Sequence, residues 1–309
     1  MNDTHIIFGT GPLGRYTAEA LIQMGHKVKL INRSGTMASP PSGAELIKAD
    51  ALTISKQSDI FTDANAIYQC SQPAYHRWKQ EFPQLQDAIL KIAIKNKTKL
   101  IVAENLYMYG NTHGKPMSEK TPFNPCSVKG IVRMEMSNSL FEAHLQGKVQ
   151  VAAVRGSDFF GPWEPINGEM IFKAALQKKT VNMLDNLNQP HSFTYVKDFG
   201  KALAIAGTDD RAIGRAWHVP SGKPYTQNEL AALLSKELGY QVKTRATGKI
   251  MLSLIGLFNK SAIEVVEMLY EYNEPFIMNS DLMESTFGLT ATTMEQRIKE
   301  TLEWAKIRL

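Results

Sequence analysis

With two cysteines in 309 residues, Cys70 and Cys126, the chain lacks both a disulfide scaffold and a cysteine-built metal cage, and it suits a reducing compartment. Long apolar runs are missing as well. Stretches such as residues 251–258 fall far short of the roughly 20 residues that a membrane helix requires. No charged start followed by an apolar stretch precedes the first expected strand, so no export signal is read and a soluble cytoplasmic protein is expected, without a membrane partner. Dense basic blocks are also absent. Lys and Arg number 35 against 30 Asp and Glu, a formal +5, which hints at anionic ligands while giving no footprint for nucleic acid. Neither an internal repeat nor a low-complexity segment appears. What remains is an ordinary globular mixture, 43% hydrophobic and 21% charged, long enough for one large domain or two small ones.

The first half alternates strand and helix patterns. Strands are expected at residues 5–8, 27–31, 45–49, 66–69, 100–103 and 149–154. Helices are expected at 12–24 and 85–95, the second with Pro83 just inside its start. Such alternation predicts an α/β fold with a parallel sheet and helices on both faces. After Arg155 the texture changes. Gly161-Pro162-Trp163-Glu164-Pro165 is a breaker cluster, followed by expected helices at 197–206, 227–238 and 293–306 and strand-like pieces at 216–219 and 241–244.

The sharpest local signal is Gly9-Thr10-Gly11-Pro12-Leu13-Gly14, a G-x-G-x-x-G between an apolar strand and a helix. Gly9 permits a tight turn, Gly11 lets the backbone approach a pyrophosphate, and Gly14 lets helix and strand pack closely, with helix N–H groups aimed at the anion. This predicts a Rossmann-like, doubly wound sheet over residues 1–160 that binds a dinucleotide. A smaller mixed α/β substrate lobe over 161–309 is expected to return segments to it. An NAD site commonly places an acid at the end of the second strand, to accept from the ribose hydroxyls. Here the residues are Asn32, Arg33 and Ser34. Arg33 matches a 2′-phosphate and Ser34 adds a donor, which favours NADP over NAD.

These landmarks resemble the extended short-chain dehydrogenases/reductases, the NAD(P)-dependent epimerase/dehydratase group. The resemblance runs through Asp50 in Lys48-Ala49-Asp50-Ala51, the strand ending at Cys70, and Leu106-Tyr107-Met108-Tyr109-Gly110. It continues through Arg155-Gly156-Ser157-Asp158-Phe159-Phe160-Gly161-Pro162 and Phe193-Thr194-Tyr195-Val196-Lys197-Asp198. It implies Asp50 near the adenine and Tyr68 to Cys70 beside ribose and pyrophosphate. The family's Ser-Tyr-Lys set falls on Asn105, Lys129 and Arg133, which marks an atypical branch. By that alignment Lys129 is the candidate acid or base, Arg133 holds ribose hydroxyls, and Asn105 donates to a substrate oxygen. The plainer reading makes Lys129 and Arg133 a basic floor under a cofactor. Tyr107 and Tyr109 are alternative phenols that read as packing and loop residues.

The family's nucleotide-sugar enzymes carry an Arg where this chain has Gln189-Pro190-His191-Ser192-Phe193, so a nucleotide sugar is disfavoured. His191 reads as a loop residue, Cys70 and Cys126 as packing thiols, and the Met-rich stretch 265–270 as core or cleft lining. Lys91, Lys95, Lys97 and Lys99 read as a solvated helix end. No metal site is expected. The resemblance further implies a homodimer built on helices at 85–95 and 127–146, with Ile131, Met134, Leu140 and Leu145 as its apolar positions. The overall expectation is an NADP-dependent oxidoreductase, epimerase or dehydratase acting on a small-molecule carbonyl or hydroxyl substrate. The alternative is a catalytically silent NADP-binding redox sensor or regulatory protein.

Overall fold

Short runs of Ile, Val, Leu and Ala form the centre of the molecule. The computed structural model describes residues 3–54, 58–258 and 260–308. Its strands are β1 (Thr4–Phe8), β2 (Lys27–Asn32), β3 (Ala44–Lys48), β4 (Ala64–Gln69), β5 (Lys99–Glu104), β6 (Val151–Arg155), β7 (Asp158–Phe160), β8 (Val181–Leu184), β9 (Phe193–Tyr195), β10 (Ala216–His218) and β11 (Thr244–Thr247). Among the described residues a seven-stranded sheet has the order β10-β6-β5-β4-β1-β2-β3, with every pairing parallel. The chain runs outward from β1 through β2 to β3, then resumes beside β1 at β4. Strand order reverses there, and a crevice opens at the strands' carboxyl ends. β7 pairs with β9 and β8 with β11 outside the main sheet.

The helices are α1 (Pro12–Gln23), α2 (Trp78–Asn96), α3 (Val128–Leu145), α4 (Ile171–Leu176), α5 (Val196–Thr208), α6 (Gln227–Leu238), α7 (Lys249–Gly256), α8 (Lys260–Val265), α9 (Tyr270–Asn273), α10 (Asp281–Phe287) and α11 (Met294–Arg308). Strand residues alternate between two cores, as a two-residue period requires. Ile7, Leu30, Tyr68, Ile101 and Val154 face α1 and α5, joined there by Phe199 and Leu203. Ile6, Ile31, Ile67, Leu100 and Val151 face the other way, against Ile89 of α2 and Leu140 of α3. β10, from the second half of the chain, closes one sheet edge by pairing with β6.

Two expected boundaries move furthest. α2 starts at Trp78, so Pro83 lies within the helix and not at its first turn. Burial of Trp78 and Phe82 against Val132 and Met136 of α3 pins the extra turn and outweighs the hydrogen bond that proline cannot donate. β11 begins at Thr244 and not at 241. Gly239 (φ +75°) ends α6, and the Val242 N–H folds back onto Ser235 Oγ at 2.9 Å before pairing with β8 begins.

A buried polar cluster ties the carboxyl ends of β5, β6 and β10 together. Arg155 donates through Nε to Glu104 Oε2 (2.9 Å), through Nη1 to the Tyr109 hydroxyl (2.7 Å) and through Nη2 to Ser137 Oγ (3.0 Å). His218 Nε2 completes it, 2.8 Å from the Tyr109 oxygen. Burial and the neighbouring Arg155 push that imidazole down to about 3, so it stays neutral. Tyr109 is thereby held in this buried network, away from the cleft lining.

Candidate active site

At the reversal point a cleft of about 810 Å³ is walled by the β1–α1 loop, the ends of β2, β4 and β5, the start of α2, and segments from residue 156 onward. Backbone sets its floor. Gly9 has φ +110°, and a Cβ there would stand 2.7 Å from Ser71 N, so only glycine lets the β1 and β4 loops meet. A Cβ on Gly14 would collide with the Gly9 carbonyl oxygen. At Gly11 nothing lies within 4 Å, which leaves room for a ligand against the backbone; Thr10, Pro12 and Leu13 line the same wall. α1 has neither a side-chain cap nor an acid in its first turn, so its N–H groups are free to take an anion. The residues present fit a dinucleotide pyrophosphate.

At the end of β2, Asn32 shapes the loop. Its Nδ2 donates to Thr10 Oγ1 (2.8 Å) and Thr36 O (2.7 Å), and its Oδ1 accepts from Gly35 N (2.6 Å). Ser34 is occupied within the same loop, donating to Thr36 O. Arg33 is exposed, lines the cleft, and has no ion pair or hydrogen bond among the described residues. Asp50 and Cys70 also line the cleft; Asp50 accepts from Leu52 N at 3.0 Å. Burial pushes the Cys70 thiol up to about 12, so it packs without reacting.

The three residues aligned with the family's catalytic set part company. Asn105 lines the cleft, its Oδ1 accepting from Tyr107 N at 3.4 Å. Arg133 lines it too, 1% exposed, with Nη2 on Ala103 O (3.2 Å) and 3.7 Å from Glu104 Oε1. Its Nε and Nη1 have no partner among the described residues, leaving two buried donors available to a ligand. Lys129 is elsewhere. Its ammonium is paired with Glu264 and, at 2.8 Å, with Glu267, and it lies 4.5 Å from the centre of the Tyr75 ring. It borders a neighbouring hollow beside His76, Lys79 and Ile263, while Tyr75 and Tyr107 form the wall of the main cleft. Both glutamates come from the α8 segment and the turn after it, which nothing in a local motif around Lys129 reveals.

The far half of the cleft holds a second polar cluster. Asp158 accepts from the Tyr272 hydroxyl and stands 3.2 Å from His191 Nε2, whose ring stacks on Tyr272 at 4.7 Å. Burial raises the Asp158 carboxyl, but these contacts outweigh it and hold the group below the usual carboxylate range. Glu271 is 2% exposed, faces the same space, and has no partner for Oε1 among the described residues. Burial, with Asp158 and Cys126 nearby, pushes it well above the usual range despite the Tyr270 hydroxyl. The Tyr75 hydroxyl donates to Tyr107 at 3.3 Å; Tyr107 packs against the Trp78 cluster and also lines the cleft. Sequence reading passed over Glu271; its signal is a carboxylate lodged between Tyr270 and Tyr272. Among the described residues no group of three or more His, Cys, Asp or Glu is arranged to hold a metal ion, and no helix is long and apolar enough to cross a membrane.

Comparison with known proteins adds the family. A family model described as NAD dependent epimerase/dehydratase matches residues 6–219. The chain belongs to the NAD dependent epimerase/dehydratase family. Among solved structures, dTDP-glucose 4,6-dehydratase from Bacillus anthracis, in complex with NAD, superposes with a TM-score of 0.79 at 14% identity, covering 99% of this chain and 97% of that one. UDP-glucuronic acid 4-epimerase from Bacillus cereus, with UDP-glucuronic acid and NAD, gives 0.79 at 15%, covering 99% and 100%. At these identities the likeness is one of fold. A curated relative, the uncharacterized protein y4nL of Sinorhizobium fredii, is 25% identical over 131 residues, 41% of this chain and 36% of that protein. Within the epimerase/dehydratase family, then, this chain has a glycine loop of the dinucleotide-binding kind, and the Asp158, His191 and Glu271 cluster lies at the other half of the cleft.

Proposed function

We propose that the chain is an NADP-dependent oxidoreductase of its family, acting on a small carbonyl or hydroxyl substrate. The carrying observation is the cleft's cation arrangement: Arg33 is unpartnered at an acid-free strand end, and Arg133 has two unpaired buried donors. Arg33 meets the 2′-phosphate, the α1 N-terminus takes the pyrophosphate, and Arg133 holds ribose hydroxyls. A bound nicotinamide supplies hydride transfer. Asn105 donates to the substrate oxygen, and Lys129 anchors the α8 segment through its two glutamates. Fluorescence titration should show NADPH binding tighter than NADH; equal affinities would overturn the cofactor choice. A panel of aldehydes and ketones followed by NADPH oxidation tests the activity. The placement of Lys129 in an ion pair favours the second reading, a catalytically silent NADP sensor, which gains if NADPH binds tightly and no panel member turns over. We also propose a homodimer through α2 and α3. Val128, Ile131 and Leu145 are exposed there, while Leu140 is spent on the sheet. Light scattering at the mass of one 34.5 kDa chain would reject it.

A further inference from the structure

From residue 156 onward the cleft lining comprises three carboxyl side chains, Asp158, Glu164 and Glu271, and neither Lys nor Arg. A diphosphate needs cations or free backbone N–H groups. The helical turn Pro165–Met170 offers such N–H groups, but Glu164 already caps it, accepting from Ile166 N (3.1 Å) and Gly168 N (2.8 Å). This half of the cleft therefore disfavours a nucleoside diphosphate. Its walls are the rings of Tyr272 and Phe276 with Val265 and Met268, and they face the rings of Tyr75 and Tyr107 from the first half, where Arg77 and Arg133 also line the cleft. Aromatic faces with a buried carboxyl that lacks a partner form a receptor for a cation.

Resting on the oxidoreductase reading above, we propose that the substrate is a small amine-bearing carbonyl or alcohol, its ammonium seated between Glu271 and Asp158 within these rings. Oε1 of Glu271, buried and without a protein partner, is the acceptor that the ammonium satisfies. Around Glu271 stand Asp158, Cys126, Tyr270, Tyr75, Tyr107 and Tyr272, with His191 against both its carbonyl and Asp158 at 3.2 Å; the Lys129 ammonium, 4.5 Å from the Tyr75 ring, is already paired with Glu264 and Glu267. Burial among these groups favours the protonated form of Glu271 in the free protein. A bound ammonium favours the carboxylate, so one proton passes from Glu271 to solvent as the amine binds.

The test is calorimetric titration of the full chain with NADP present, using aminopentanol and phenylethanolamine, their N-acetyl forms, and UDP-glucose. Amines should bind about ten-fold tighter than the N-acetyl forms, the usual order for a charge-assisted contact. Repeating the titration in two buffers of different ionisation enthalpy should show proton release. Glu271→Gln should abolish both the preference and the release, with NADP binding as the check on its fold. If that variant fails to fold, Asp158→Asn should lose the preference and keep the release. Amines that bind no better than their N-acetyl forms, binding by neither, or preferential binding of UDP-glucose overturns the proposal. If amine preference appears without turnover, the ammonium site stands and the oxidoreductase reading falls.

Discussion

Under the glycine loop, the cleft is positioned by backbone: a left-handed Gly9, a Gly14 with no room for a Cβ, and seven parallel strands sharing two cores. Under α8 and α9 it is positioned by side chains that reach between distant segments. Lys129 meets Glu264 and Glu267, Tyr272 meets Asp158, and His191 stacks on Tyr272. A wall made of backbone fails with the whole sheet. A wall made of side-chain bridges fails piece by piece. The sheet-borne half should thus be cooperative and the bridged half locally adjustable.

Arg155 offers the most forceful way to break that contrast. Removing its guanidinium strips Glu104, 1% exposed, of its 2.9 Å ion pair and leaves it Arg133 at 3.7 Å and the Ser137 hydroxyl at 3.3 Å. Arg155→Met should cost about 3–5 kcal/mol in urea unfolding, with dinucleotide binding and global stability lost together. A variant that loses dinucleotide affinity while keeping its urea midpoint would show that the two are separable.

Acid supplies a second route to the sheet. Burial and His26 push His5 down to about 4, and His218 lies at about 3. On acidification the unfolded chain takes these protons first, near the ordinary histidine value, while the folded chain refuses them. Stability is therefore intact above pH 6.5 and falls as pH drops towards 4, by about 2 kcal/mol per histidine at pH 5. Melting temperatures at pH 7 and pH 5 check this. His5→Asn should flatten the slope, and an unchanged slope would remove His5 from the account.

A smaller effect should appear at Arg33, which sits on the backbone-built half and has no hydrogen bond or ion pair among the described residues. Arg33→Ala should weaken NADPH binding by about 1.5–3 kcal/mol and leave NADH binding and the melting temperature nearly unchanged. A matching loss for NADH would mean that Arg33 shapes the loop and does not read the 2′-phosphate.

The same contrast explains what could be read from sequence. The glycine spacing and the alternation of Ile6 and Ile7 are local, and a period of two or a G-x-G-x-x-G identifies them without knowledge of anything distant. α6 is legible to the residue because Thr226, Glu229 and Gly239 are start and stop signals within one element. Glu271 and Lys129 are not legible in that way. Glu271 becomes unusual only when α9 lies against β7, and Lys129 acquires its partners from more than 130 positions along the chain. Pro83 was misplaced for the same reason: its helix is lengthened by contacts with α3, not by its own sequence.

Lys129 carries the smallest expected effect and separates the two halves most directly. The positional reading makes its amine the proton donor, in which case Lys129→Met lowers turnover by about 10²- to 10⁴-fold. The observed geometry makes it a tether: its side chain is 3% exposed, while Glu264 and Glu267 are 35% and 25% exposed. Freed of the lysine, both carboxylates can swing into water, so the cost should be about 1 kcal/mol, near that of an exposed pair and below that of a buried one. Val128 N also donates to Glu267 (2.7 Å), which keeps part of the connection. Hydrogen exchange in Lys129→Met should therefore quicken over residues 260–273 and stay unchanged in β1, β4 and β5. Turnover, once a substrate is in hand, should fall less than about ten-fold. A thousand-fold loss with unaltered exchange would return Lys129 to the chemistry, and the far wall would then be a catalytic element instead of an adjustable roof.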